Sequence, residues 1–468
     1  MRRICGVGGV AVLLSVACAE PVVPVTPWRA SDAPLLAVTP SATVTRVPGI
    51  ALPLPASSPF SIAFSVNDRD EIAGMHVLNY NAGTYLGDVR LTLWSGGTGV
   101  DLGNIGEDVR LSRPEGINNR SEIIGFKSFS AAPGVPESFH WSAGTGLRAL
   151  PLPASASGGF ANDINDQGRI VGGATVGGFF RTIAEWPSAS QSAVITPPPF
   201  GWTNARASAM NEVGDVVGWT STGVVFGFSS FRAFGGSYSA IGIPTGFAGA
   251  IATSVNDLGV VSLDAYGSPT FGGFLWSAGT FTQLSAPILP GSRVTAARFI
   301  NNVGDVLVAV DSAFGSAALL RADGSVVLLD PLTGALSAVA IEMNTLGTVV
   351  GRSAYANGDL EATKWVVPVN ANANLTGLSN GVAALAASGR LSASAATRLQ
   401  QLFALAQSKL PGGSTFHGDR EAPGVASARI TLRLAIDLLL RLEREGSPRT
   451  ITRPIISAIE VIARSLRS

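Results

Sequence analysis

Residues 164–172 read INDQGRIVG, with Asn165 and Gly168 three positions apart between two apolar stretches. An Asn side chain can hydrogen-bond its own backbone two residues on, and Gly supplies the positive φ of a tight hairpin. The nonamer therefore predicts the end of one strand, a turn, and the start of the next. It recurs as VNDRDEIAG (66–74), INNRSEIIG (117–125), MNEVGDVVG (210–218), VNDLGVVSL (255–263), INNVGDVLV (300–308) and MNTLGTVVG (343–351). All seven copies keep the Asn: Asn67, Asn118, Asn165, Asn211, Asn256, Asn301 and Asn344. Five keep the Gly (Gly168, Gly214, Gly259, Gly304, Gly347), while Asp70 and Ser121 replace it in the first two. The intervals of 43 to 51 residues match a four-stranded propeller blade, and seven copies predict seven blades. A ring of seven Asn could also contact a ligand, but the Gly partner explains the spacing through turn chemistry alone.

The rest of each period supplies two more strands. One ends in an aromatic or apolar pair, and in five copies in Trp (Trp94, Trp141, Trp186, Trp276, Trp365). The other runs to a Pro or Gly, as in LRALPLP or SAIGIP. Trp at one internal position of a repeat predicts packing between blades in preference to a ring of stacking platforms for sugars. The last unit lacks its fourth strand after Pro368, whereas a spare one, TVTRVPGIALPLP (43–55), precedes the first. The expected fold is mainly β: a seven-bladed propeller over 42–369, closed by this N-terminal strand, which removes sheet edges that other chains could pair with.

The unit N-x-x-G-x-[IV]-V-G, then a strand such as Phe274-Leu275-Trp276, then Asp101-Leu102-Gly103-Asn104-Ile105-Gly106, resembles the HAF-type extracellular repeats of secreted bacterial proteins. The resemblance covers roughly 43–369 and implies an exported, propeller-like protein. The His-Ala-Phe that names the family would fall at Glu137-Ser138-Phe139 and Gly272-Gly273-Phe274, so its His is replaced here.

From Asn370 the apolar period becomes helical, after a polar linker 369–374. Helices are expected at 375–388, 392–410, 425–445 and 452–466, with Ser392 and Thr452 as N-caps and Gly389 and Gly446 past C-termini. Two αα-hairpins joined by the Pro/Gly-rich 411–424 make a small all-α bundle over 370–468. Residues 371–468 hold 12 basic and 6 acidic residues. That surplus reads as a solvated arginine face, the alternative being a bundle that docks on an anionic surface, either the propeller itself or lipopolysaccharide-like material.

At the other end, Met1-Arg2-Arg3 precedes an apolar run, Ile4 to Ala17, too short to span a bilayer and shaped as a secretory signal over 1–18. Ser15-Val16-Ala17-Cys18 is similar to a lipobox with Cys18 as the lipidated residue, although Ser15 stands where a large apolar residue is usual. Ala17-Cys18-Ala19 also fits ordinary signal cleavage. Residues 19–41 then read as a flexible tether. Cys5 lies within the signal, so no intrachain disulfide and no cysteine-based metal site is expected.

Composition narrows the function classes. Lys and Arg number 32, as do Asp and Glu, so the formal charge is zero and the basic footprint of a nucleic-acid binder is missing. The three His (His76, His140, His417) are scattered, and no calcium loop, Walker loop or nucleophile elbow appears. His76 is expected in a long b–c loop, 75–90, on the open face. No cofactor, metal or catalytic residue is expected. Asp163, Arg298 and Glu342 are the candidate polar residues of a central channel whose inner strands are otherwise mostly apolar. The expected role is an exported, monomeric, non-enzymatic scaffold at the cell envelope, binding a protein or glycan. The alternative is a propeller hydrolase or lyase with acids in the channel.

Overall fold

A computed structural model describes residues 44–466 except 129–135, 178–179, 222–226, 235, 268–270, 286–291, 312–315 and 411–422. The signal, the tether, Cys18 and His417 lie outside the described residues.

Each Asn turn joins the two inner strands, a and b, of one antiparallel sheet. In the first blade the order is Ser61–Val66, Ile72–Asn81, Leu86–Ser95, Thr98–Asp108, innermost to outermost. Blades two to six repeat this order, with inner strands Arg113–Ile117, Ala156–Ile164, Asn204–Met210, Gly249–Val255 and Arg293–Ile300. Every inner strand packs against the next, and Ser337–Met343 of the seventh blade packs against Ser61–Val66 of the first. The molecule is the seven-bladed propeller read from the repeats.

Closure is divided between two blades. The spare segment is not one strand. Val44–Val47 adds to the outer edge of blade six, parallel to Val326–Leu329, giving that sheet five strands. The chain then crosses at Pro48-Gly49, and Ile50–Ala51 pairs antiparallel with Lys364 and Thr363 as the missing fourth strand of blade seven. Pro48 carries no N–H to continue the ladder. A Cβ on Gly49 would stand 3.0 Å from the Asp330 carbonyl oxygen, so only a glycine passes between the two sheets without a shift.

The tryptophans pack between blades. Trp94, Trp186, Trp276 and Trp365 are buried, while Trp141 is half-buried. Three indole N–H groups donate to a backbone oxygen near the end of an outer strand of the preceding blade: Trp94 to Pro53, Trp186 to Pro151 and Trp365 to Asp330, each at 2.7 Å. The Trp94 bond spans the seam, because Pro53 belongs to the segment that completes blade seven.

Four helices follow: α1 (Ala371–Ala387), α2 (Ala393–Lys409), α3 (Pro423–Arg444) and α4 (Arg449–Ser465). Two boundaries differ from expectation. Helix α1 starts four residues early because the Asn370 side chain accepts from the Ala373 N–H, making the polar linker a cap. Helix α4 starts at Arg449 and not after Thr452; Thr452 is buried inside it and donates to Glu443 at 2.6 Å. Ser392 caps α2, and Gly389 and Gly446 hold φ of 72° and 102° past helix ends.

The bundle docks on the propeller. Leu258 and Val303, in the Asn turns of blades five and six, share one apolar core with Leu375, Leu378, Val382 and Leu385 of α1. Gly377 and Gly381 face that contact; a Cβ at Gly377 would lie 1.8 Å from the Val303 carbonyl oxygen. Among the described residues Arg390 brings the arginine surplus to the propeller: it pairs at 2.8 Å with Asp215, whose side chain is 6% exposed, beside a chiefly apolar contact.

Candidate functional site

The Asn turns build the first ring around the axis. Each Asn Oδ1 accepts main-chain N–H groups of its own turn, as Asn67 does from Arg69 and Glu71 at 3.0 Å. Its Nδ2 reaches the next blade. Asn67 donates to the Asn118 carbonyl, Asn118 to Asn165, Asn211 to Asn256, Asn256 to Asn301, and Asn344 back to Asn67, at 2.9–3.1 Å. Asn165 and Asn301 point instead at the sulfurs of Met210 and Met343, at 3.9 and 3.8 Å. The glycines of the turns hold φ between 78° and 91°, and Asp70 and Ser121 take 60° and 61° in their place. The turn reading thus accounts for half of the Asn side chain; the other half ties neighbouring blades.

A second ring lies one residue on. The Asp68 N–H donates to Asn119 Oδ1, Asn119 to Asp166, Asp166 to Glu212, Glu212 to Asp257 and Asp257 to Asn302, at 2.7–2.9 Å, while Thr345 donates to Asp68 at 3.0 Å. Three consecutive acids of this ring, Asp166, Glu212 and Asp257, are therefore neighbours. Burial, and then the Asp166 and Asp257 charges, push the Glu212 carboxyl up to about 8.

The channel is lined from a repeated irregularity. All seven inner strands carry a β-bulge three residues before the Asn, at Phe64, Glu115, Asn162, Ser208, Thr253, Arg298 and Ile341. A bulge puts two residues opposite one, leaving the extra one outside the ladder on the edge that faces the axis. Six of the seven are half-buried, with Phe64 the exception. Around the ring the characters are segregated. Arg298 is followed by apolar Ile341 and Phe64, then Glu115, then the neutral polar Asn162, Ser208 and Thr253. Cation and anion stand three blades apart, on roughly opposite sides.

Next to the bulge, Asp163 and Glu342 each reach the following blade. Asp163 accepts from the Met210 N–H at 2.7 Å and from its own neighbour Ile164 at 2.8 Å. Glu342 Oε1 accepts from the Ser65 hydroxyl at 2.9 Å and the Val66 N–H at 3.3 Å. Both keep some exposure yet are hemmed in by protein. Burial raises the Asp163 carboxyl to about 7 against the pull of those two amides, with a further push from Glu115. Burial followed by the Asp163 charge raises Glu342 well above the carboxylate range. Blade three and blade seven thus feel each other across the axis. Arg113 pairs with Glu115 at 2.8 Å and lies over the Phe126 ring at 5.0 Å.

Of the three residues singled out for the channel, the structure brings Asp163 and Glu342 into one electrostatic cluster. Arg298 acts elsewhere: its charge works on Asp264, whose carboxyl burial raises to about 6 and which accepts from the Ala297 N–H. Glu115 was missed because a bulge leaves no mark in composition; its only signal was the Arg113/Glu115 charge pair in a short inner strand. His76 is a correction. It is fully buried within Ile72–Asn81, not in an open loop, with Nδ1 2.8 Å from Thr92 Oγ1, and desolvation lowers its pKa. The strand continues to Asn81 across an irregularity after Leu78, where Asn79 holds a φ of 54°, and Asn81 shapes the turn by accepting from the Gly83 N–H. His140 packs within its strand, with Nε2 3.6 Å from Glu122. Among the described residues no group of three His, Cys, Asp or Glu is placed to hold a metal.

No protein-family model matches the chain, and no curated protein matches it. Among solved structures the chain is similar to the β-propeller domain of the Trilobed protease from Pyrococcus furiosus, whose topology is described as open velcro. Identity there is 11%, over 66% of this chain and 94% of that one, with a TM-score of 0.46. It is also similar to YCF48 bound to D1 peptide, at 11% identity over 69% and 96% of the chains, TM-score 0.43. A third likeness is to putative TolB from Agrobacterium tumefaciens, at 11% over 55% and 90%, TM-score 0.35. At these identities the likeness is one of fold.

Proposed function

We propose that this chain is an exported, non-catalytic scaffold of the HAF-type repeat class that presents its propeller loops and channel mouth to a protein or glycan at the cell envelope. The observation that carries this reading is how the inner-strand carboxylates are engaged. Both oxygens of Asp163 and one of Glu342 hold main-chain or hydroxyl donors, most of them on the following blade. Such groups fasten the ring, whereas a catalytic pair must be free to exchange protons with a substrate. Of the bulge ring, Arg298, Ile341, Glu115 and Ser208 keep partial exposure and would give a ligand contacts of both charges, one apolar and one hydroxyl.

The second reading, a hydrolase or lyase, draws on one specific observation: an Asp163 carboxyl at about 7 suits a general acid at neutral pH. A screen of glycans and peptide esters against the full chain separates the two. The scaffold reading expects binding without turnover. Turnover that Asp163→Ala abolishes while the fold persists overturns it.

Export and anchoring rest on the leader. Cys18→Ser is expected to release the protein from the membrane fraction and to lower its mass by the lipid. A variant that stays membrane-bound at unchanged mass removes the anchor from the proposal.

A further inference from the structure

Four of the Asn turns carry an acid four residues after the Asn: Glu71, Glu122, Asp215 and Asp305. In three of them the acid accepts from its own Asn, as Asp215 does at 3.1 Å, and also meets a second donor. Ser121 serves Glu71, Arg120 serves Glu122 and Arg390 serves Asp215. Asp305, which also faces its own Asn301, has no such second donor among the described residues. It is 8% exposed, and its Oδ1 is buried without a hydrogen-bond partner among the described residues. Asn374 of α1, 2% exposed, has a buried Oδ1 in the same condition. Both residues line one small cavity between the turns of blades six and seven and the start of α1, which has about 10 Å³ for the centre of a guest. That is the room of one water molecule. Arg321 adjoins it: its guanidinium donates to the Pro368 carbonyl on the cavity wall and acts on Asp305, and its Nε–H is buried and unpartnered.

The two cavity-lining atoms specify their guest. Both are acceptors, so the guest must donate twice. A metal cation or ammonium ion would meet the nearby Arg321 guanidinium charge. An anion would face two acceptor oxygens. We propose that one bound water molecule sits here, donating to Asp305 and Asn374, and that it couples blade six to the helical bundle. Two to four hydrogen bonds are usual for a buried water. Asp305 belongs to the propeller and Asn374 to α1, so the water adds a polar link beside the apolar contact of Val303 with α1.

A crystal structure of the full chain, grown with rubidium in place of sodium, tests the site. The expected result is a spherical peak within hydrogen-bond distance of both atoms and without anomalous signal. An anomalous peak makes the guest a cation, and an Asn374 amide bonded directly to Asp305 removes the guest; either overturns the proposal. Hydrogen exchange tests the coupling. Asp305→Ala and Asn374→Ala should each speed exchange of the α1 amides about tenfold, and the double variant no further, because both act through one molecule. Additive effects, or no change, overturn the coupling.

Discussion

The side-chain amide of Asn344 in the seventh blade donates to the main-chain oxygen of Asn67 in the first, 3.0 Å away, across the seam where the two ends of the propeller meet. The same amide oxygen accepts from Leu346 and Thr348 in its own turn. One buried side chain therefore shapes a hairpin and closes a circle. Asn344→Ala removes three buried bonds, each of about 1 kcal/mol, and should cost roughly 3 kcal/mol in a denaturant titration. Asn301→Ala should cost about 1 kcal/mol less, since its Nδ2 faces the Met343 sulfur at 3.8 Å and not a carbonyl. Equal losses at both positions would show that the inter-blade bond adds nothing to the turn.

Closure by two short strands makes the leading segment a joint clasp on blades six and seven. Deleting residues 42–55 exposes the edges at Val326–Leu329 and Leu360–Val366 and strips Trp94 of its bond to Pro53. The expected outcome is aggregation or loss of the single cooperative melt, read by calorimetry and light scattering. A soluble deletion that melts as sharply as the full chain would leave the clasp without a role.

The number of blades, the order of their strands and the need for closure were legible because the Asn turn is a local chemical requirement that recurs. Its partner across the blade boundary was not legible, since Nδ2 of Asn67 meets a residue 51 positions away. The bulge ring escaped for a different reason. A bulge is a pattern of ladder bonds that Phe64, Glu115 and Ser208 accommodate equally, so no residue type marks it. The split at Pro48-Gly49 did have a signal, an imide and a glycine in mid-strand, but the ALPLP echo at 51–55 suggested one continuous segment. For Arg298 and Asp163, period and polarity predicted the strand correctly, and only three-dimensional placement separated them.

The acids around the axis give a pH dependence of definite sign. The folded carboxyls of Asp163 and Glu212 stand at about 7 and about 8, above their unfolded values of 3.8 and 4.5. Between those limits the folded chain holds protons that the unfolded chain has lost, so stability falls as pH rises, by about 1.4 kcal/mol per pH unit per proton. Their stabilising contribution is full below about pH 4 and gone above about pH 8. Glu212→Gln retains an acceptor for the Asp166 N–H and removes the charge. It should flatten the decline and raise the melting temperature at pH 8 relative to the unaltered chain. A wild-type curve that climbs from pH 5 to pH 8 would contradict the assignment.

Docking of the bundle rests on the absence of two side chains. At Gly377 a methyl group would meet the Val303 carbonyl oxygen at 1.8 Å, and at Gly381 the Leu258 side chain at 2.1 Å. The first obstacle is backbone and cannot rotate away; the second is the end of a flexible side chain. Gly377→Ala should therefore lift α1 from blade six, while Gly381→Ala should be absorbed by Leu258. Alanine favours the helix itself by nearly 1 kcal/mol over glycine, so a loss at Gly377 can only come from the contact. Small-angle scattering should show an enlarged particle for Gly377→Ala alone, and added salt should not reproduce it, because the contact is chiefly apolar and, among the described residues, Arg390–Asp215 is its ion pair.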